Sequence, residues 1–181
     1  MLQKYFIAIV PKEPLISEIH ELKTSISENY KTKGALRSPG HITLHMPFSW
    51  EEEKEEKLVG CLTNFKFESE FQISLCGFSS FEPRVVFIDV TPEEILIDLQ
   101  KQLVQHVKLN LQLFNQSDNM RGFHPHITIA FRDLKKPMYY KLWENLKSKP
   151  FEKQFTCQSI CLLKHMGNHW EVYKEFPFSI I

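Results

Sequence analysis

An α+β fold built from a duplicated unit is what this sequence predicts, and three observations predict it. Short apolar runs of strand length alternate with longer stretches whose apolar residues recur at helical spacing. The tetrapeptide "HITL" at 41–44 returns as "HITI" at 126–129. The stretch "FIAIVPKE" at 6–13 aligns without a gap on "FIDVTPEE" at 87–94, matching Phe, Ile and Pro. A single His-x-Thr arises by composition about one time in three, whereas two copies sharing Ile and a following aliphatic residue are roughly a hundred times rarer. The expected architecture is a single bilobal domain over 1–181, with repeats at about 1–83 and 84–181. Its duplicated strand–helix–strand units would form two antiparallel-rich sheets facing a central groove.

The elements follow in order. "YFIAIV" at 5–10 reads as a strand closed by Pro11. Leu15, Ile16, Ile19, Leu22 and Ile26 then recur at helical spacing through 13–30. A polar loop with Lys33, Gly34, Arg37, Ser38, Pro39 and Gly40 enters a strand, "HITLHMPF". The acid-rich stretch 51–65 predicts a helix starting near Ser49 or Trp50, its acids favoured at the positive end and its charges a solvated face. "FQISLCGF" at 71–78 is the next strand. In the second half, Ile95, Leu96, Leu99, Leu103, Val104 and Val107 mark a helix. The loop "NQSDNMRGF" leads to the strand "HPHITIAF", a helix over 136–149 and a strand "FTCQSICLL". A last strand pair surrounds the turn "HMGNH".

Composition narrows the function classes. A hydrophobic fraction of 43% and a charged fraction of 24% describe an ordinary folded protein. Zero formal net charge argues against a long nucleic-acid duplex or an anionic membrane as partner. It leaves room for a small phosphorylated ligand in a local basic pocket. The apolar run before Pro11 is too short for a signal-peptide core, and no stretch approaches the ~20 residues that cross a membrane. Cys61, Cys76, Cys157 and Cys161 show no zinc-ligand spacing. On one strand, Cys157 and Cys161 would stand about 13 Å apart, out of disulfide reach. Buried free thiols and a cytoplasmic location are the expectation, with oligomeric state left open.

The repeated motif has a definite chemistry. Alternation along a strand puts His41 and Thr43 on one face and Ile42 and Leu44 on the other, and likewise His126 and Thr128 against Ile127 and Ile129. If the copies pack about a pseudo-twofold axis, two imidazoles and two hydroxyls surround one small volume. One imidazole can then accept a proton while its twin donates one near neutral pH, each role worth about 10²–10⁴ in rate. Threonine hydroxyls can donate hydrogen bonds to non-bridging phosphate oxygens. Such a set suits in-line phosphoryl transfer and requires no metal. Taken singly, each motif would read as a strand with a hydrogen-bonded His and a β-branched Thr.

"GHITLHMPF" and "HPHITIAF", preceded by "YFIAIVP", resemble the 2H phosphoesterase superfamily, the LigT-like or 2′–5′ RNA ligase-like proteins. The resemblance covers nearly the whole chain. It implies a bilobal α+β duplication with His41 and His126 as the catalytic pair and Thr43 and Thr128 binding phosphate. It also implies hydrolysis of 2′,3′-cyclic phosphates, or cleavage and joining of 2′–5′ phosphodiester bonds, without cofactor or metal. The partner would be a small nucleotide or an RNA terminus carrying such a phosphate. Some members carry a basic residue five positions beyond the second His; here that position is Phe131, and Arg132 follows on the other face of a regular strand.

Other residues have both a functional and a plain reading. Arg37 and Arg121 precede the two motifs in polar loops, where each is either a phosphate contact or an ordinary surface arginine. Lys33, Arg84 and Arg132 are lesser candidates of the same kind. Alternation puts His45 and His124 on the groove face. His124-Pro125-His126 is a spacing that metal sites also use, which makes a His-rich metal site the competing hypothesis. No carboxylate or Cys stands in register to complete it, and Thr is a poor ligand. A third hypothesis is a nucleotide- or RNA-end-binding module of the same fold without catalysis. Phe6, Phe87 or Phe123 could stack on a nucleobase. Tyr139, Tyr140, Trp143 and Leu146 fall at packing positions, and His20, His106, His165 and His169 read as structural.

Overall fold

In the computed structural model, which describes residues 1–115 and 122–179, eight strands form one antiparallel sheet. In chain order they are β1 (Leu2–Ile9), β2 (Ile42–Glu51), β3 (Phe71–Phe81), β4 (Val85–Val90), β5 (His126–Ala130), β6 (Glu152–Cys157), β7 (Ser159–His165) and β8 (Trp170–Pro177). Among the described residues the α-helices are α1 (Leu15–Tyr30), α2 (Glu55–Thr63), α3 (Glu94–Leu111) and α4 (Lys136–Leu146). Across the sheet the order is β6-β3-β4-β5-β2-β1-β7-β8.

The α+β class and the antiparallel pairing are as predicted, and the two expected sheets are halves of this one. Long ladders run through β6-β3-β4-β5 and through β2-β1-β7-β8, but the halves meet at one recorded pair, Ile42 opposite Ile127. Each half nevertheless mixes strands from the two repeats: β3 of the first lies on β4 and β6, and β7 of the second lies on β1. A cut near residue 83 therefore would not separate two lobes. The expected strand at 155–163 is two strands broken at Gln158, with β6 on β3 and β7 on β1. Cys157 and Cys161 thus lie on different strands; both are buried and free, as is Cys61, whereas Cys76 is exposed.

One face of the sheet carries all four helices. Ile7, Ile9, Ile42, Leu44, Ile88 and Ile127 meet Ile19, Leu99, Leu103 and Leu142 there, each buried large side chain worth about 1.5–3 kcal/mol. The opposite face holds a smaller cluster of Phe6, Ala8, Cys161 and Leu163. The acid-rich helix starts later than its sequence suggests: β2 continues through Trp50 to Glu51, and a 3-10 turn, Glu52–Lys54, intervenes. Its charges are not all a solvated face, because Glu55 accepts from Lys164 at 2.5 Å and from the hydroxyls of Tyr5 and Tyr173. No helix among the described residues is long and apolar enough to cross a membrane.

The loop before β2 is braced from both sides. Asp133, three residues past β5, accepts from Thr32 Oγ1 at 2.7 Å and from the backbone N–H groups of Lys33 and Gly34 at 2.8 and 3.0 Å. A Cβ at Gly34 would stand 2.7 Å from the Phe131 carbonyl oxygen, and one at Gly40 2.7 Å from Ile19 Cγ2. Only glycine allows this approach. Gly34→Ala is expected to cost about 1–3 kcal/mol of stability, the range for forcing an added methyl into packed structure; urea denaturation with an unchanged midpoint would contradict the brace.

Candidate active site

The joining pair sets the geometry of everything beside it. Extending the antiparallel register from Ile42 opposite Ile127 puts His41 across from Thr128 and Thr43 across from His126. Ile42 and Ile127 are fully buried on the helix side, so alternation turns both His-Thr pairs to the other face. In a regular ladder the two histidines are then diagonal neighbours, about 7–8 Å apart at Cα.

Each imidazole is held in the same way. His41 Nδ1 lies 2.7 Å from the carbonyl oxygen of Pro39, and His126 Nδ1 lies 2.7 Å from that of His124. A carbonyl can only accept, so each Nδ1 carries the hydrogen and each Nε2 keeps its lone pair. Behind each ring sits the phenylalanine matched in the repeat. Phe6 is 4.8 Å from His41 and Phe87 is 4.8 Å from His126, with interplanar angles of 46° and 51°. Rotation of either imidazole would break both the hydrogen bond and this packing.

Burial governs their titration. Desolvation pushes His41 down to about 4, the Pro39 carbonyl opposing it and the charges of Lys23 and His126 adding to it. Desolvation also lowers His126; the His124 carbonyl opposes it, the His124 charge adds to it, and Asp89, opposite on β4, pulls the other way. Both rings are thus neutral near pH 7, with one basic nitrogen each.

A groove of about 290 Å³ opens above them. Of the residues singled out from sequence, Phe6, Arg37, His41, Thr43, His126 and Thr128 line it. His45 does not. Register shifts put His45 opposite Ile7 and Thr43 opposite Ala8, so Leu44 is an extra residue on β2 and alternation fails there. His45 is 0% exposed, and its Nε2 is buried with no partner among the described residues. His124 is outside the groove as well, its ring half exposed with Nε2 3.5 Å from Asp89 Oδ1. Phe87, at 0% exposure, has no face free for a base, and Phe6, at 3%, is wedged between His41 and Trp170. Phe123 packs on the helix-side core. Lys33 and Arg84 lie outside the groove lining, and Arg121 falls outside the described residues.

Arg132, a lesser candidate in the sequence, does line the groove. It lies past the end of β5 at φ 63, a left-handed conformation uncommon for a non-glycine residue. That turn brings both Phe131 and Arg132 into the groove, where regular alternation would separate them. His165 and Trp170 pair across the β7–β8 hairpin and wall one end. The "HMGNH" turn betrays the hairpin but not where it folds. The carboxylate that was missing in sequence is Asp89, which the strand pairing brings opposite His126. Even so, no three His, Cys, Asp or Glu side chains among the described residues are grouped to hold a metal ion.

Two fixed imidazoles with free Nε2 atoms, two hydroxyls and two nearby guanidinium groups can bind a phosphate and move protons on either side of it. The titration has a consequence for stability. Between pH 6.5 and about 4 the unfolded chain binds the proton that native His41 refuses, so stability should fall as pH falls through that window. His41→Gln should flatten this part of the curve; an unchanged slope would contradict the burial of His41.

The family model described as the 2′-5′ RNA ligase superfamily matches residues 11–169. The chain is 32% identical over 177 residues to "Putative phosphoesterase GK0864" of Geobacillus kaustophilus, covering 96% of this chain and 95% of that protein. A second relative, from Geobacillus sp. (strain WCH70), is 30% identical with the same coverage. Among solved structures, TT0787 of Thermus thermophilus superposes with a TM-score of 0.70 at 21% identity, covering 97% of both chains. E. coli LigT complexed with 3′-AMP gives 0.67 at 22% identity, covering 99% of both. These last two are likenesses of fold.

Proposed function

We propose a reaction for this chain on the premise that it belongs to the 2′-5′ RNA ligase superfamily, as a 2H phosphoesterase. The reaction is opening of a 2′,3′-cyclic phosphate, or cleavage and joining of a 2′–5′ phosphodiester bond, at an RNA end or in a small nucleotide. His41 and His126 are its acid–base pair, and Thr43 and Thr128 hold the non-bridging oxygens.

The observation that carries this reading is the matched anchoring of the two rings. With each Nδ1 committed to a carbonyl at 2.7 Å, both Nε2 atoms are left for proton transfer. In hydrolysis one Nε2 takes the proton of the attacking water as the new P–O bond forms. The other Nε2, protonated once the phosphate's negative charge lies beside it, gives that proton to the ribose oxygen as the ring P–O bond breaks. Run backwards, the roles exchange and a bond is joined. The hydroxyls and Arg37 face charge that builds on the equatorial oxygens, where oriented donors contribute most. Neither step calls for a metal ion. The E. coli LigT structures with 3′-AMP, ATP and NADP+ support a small nucleotide as the ligand class.

Turnover of the four nucleoside 2′,3′-cyclic monophosphates, with chelator present, tests the reading. The wild type should open the ring, and His41→Ala and His126→Ala should each lose about 10²–10⁴ in rate. Saturable binding without turnover, extending to a 2′–5′ dinucleotide and a cyclic-phosphate RNA end, would make the protein a binding module instead. Loss of activity on chelation would point to a metal site.

A further inference from the structure

The two halves of the site are matched in their histidines, threonines and phenylalanines, but two charges break the match. On the His41 side, Lys23 of α1 is 2% exposed and, among the described residues, pairs with no carboxylate. Its Nζ donates to the carbonyls of Ala35 and Ser38, 3.0 Å each. The buried positions of α3, the corresponding helix, are all apolar: Leu96, Leu99, Leu103, Val107 and Leu111. On the His126 side, Asp89 is the direct cross-strand partner, and the gap-free alignment puts Ala8 at the matching position of β1.

We propose that Lys23 is a positioning residue that makes the two histidines unequal, holding the loop of Arg37 and Pro39 in place and reserving His41 as the proton acceptor in ring opening. This rests on the acid–base reading above. Ser38, whose carbonyl Lys23 holds, precedes Pro39, whose carbonyl orients His41, and Arg37 and Ser38 both line the groove. Lys23 therefore acts one residue away from the anchor of the imidazole.

The charges facing the two rings differ. His41 feels the charges of Lys23 from α1 and His126 from β5, and Arg37 and His165 line the same groove. Among the described residues no carboxylate perturbs it. A proton arriving there joins cations. His126 meets His124, whose charge opposes its protonated form, and Asp89, whose carboxylate favours it. Burial lowers Lys23 itself to about 8, so it is charged at neutral pH and becomes neutral only above that. An unpaired buried charge is costly unless its hydrogen bonds are made. A charge buried here, where the corresponding helix buries only apolar side chains, is what a positioning role explains.

The experiment is a pair of pH profiles of kcat/KM for a nucleoside 2′,3′-cyclic monophosphate, wild type against Lys23→Met, with unfolding curves for each. Removing the cation should ease protonation of His41, so the acidic limb should move to higher pH by at least about half a unit, or threefold in proton concentration. Lys23→Arg should leave the limb near its wild-type position. Asp89→Asn, which removes the other charge, should move the alkaline limb to lower pH, and it serves as the second variant should Lys23→Met fail to fold. Loss of stability with both limbs unmoved would reduce Lys23 to a structural residue and overturn the proposal. A limb moving the opposite way would do the same. If the wild type turns over no cyclic phosphate, the acid–base reading has failed separately. The His41 imidazole can then be titrated by NMR in wild type and Lys23→Met, where an unchanged midpoint overturns the coupling and a raised one supports it.

Discussion

One backbone pairing, Ile42 with Ile127, is the constraint on which the rest of the structure depends. Both side chains are fully buried against the helices, so the pairing is locked in register: a slip by one residue would turn two isoleucines to water and two imidazoles into the core. Long ladders run through each half-sheet, and the junction brings the two together. What it brings together is a His-Thr pair from each half, facing one groove. The energy that builds the site is thus spent mainly on its far side, in aliphatic burial beneath α1 and α3.

Around that junction the chain uses the same device twice. A carbonyl two residues upstream holds each Nδ1, and an aromatic ring on the adjacent strand blocks each imidazole from turning. Fixing the tautomer matters more than fixing the position, because only a ring with Nε2 free can take a proton from, or return one to, a phosphate ester. Asp133 extends the same order outward, tying the end of the β5 segment to the turn that opens the Arg37 loop. The groove wall is therefore made by residues distant in sequence and held by backbone donors.

Much of this was legible in the sequence, for a physical reason. Alternation with period two and the repeated "HIT" both report directly on which residues share a face, and they placed His41, Thr43, His126 and Thr128 together. The matched Phe6 and Phe87 were visible too, but as possible base-stacking surfaces; in the structure they are buried supports for the histidines. Alternation misled where the strand is irregular. An extra residue at Leu44 turns His45 inward, and the left-handed turn at Arg132 brings it into the groove. Neither bulge nor turn has a glycine or proline at that position to announce it. Strand exchange between the halves was also hidden, since periodicity says nothing about which strands pair. For the same reason Asp89, His165 and Trp170 could not be placed, each being near the site only through pairing.

The measurement that tests the central claim most directly is a crystal structure with a nucleoside 3′-monophosphate such as 3′-AMP. If the two motifs converge on one phosphate, its oxygens will lie within about 2.6–3.2 Å of both Nε2 atoms, His41 and His126, with Thr43 and Thr128 Oγ1 on the remaining oxygens. A phosphate seated on one histidine alone, or held by Arg37 and Arg132 away from both, would contradict the account.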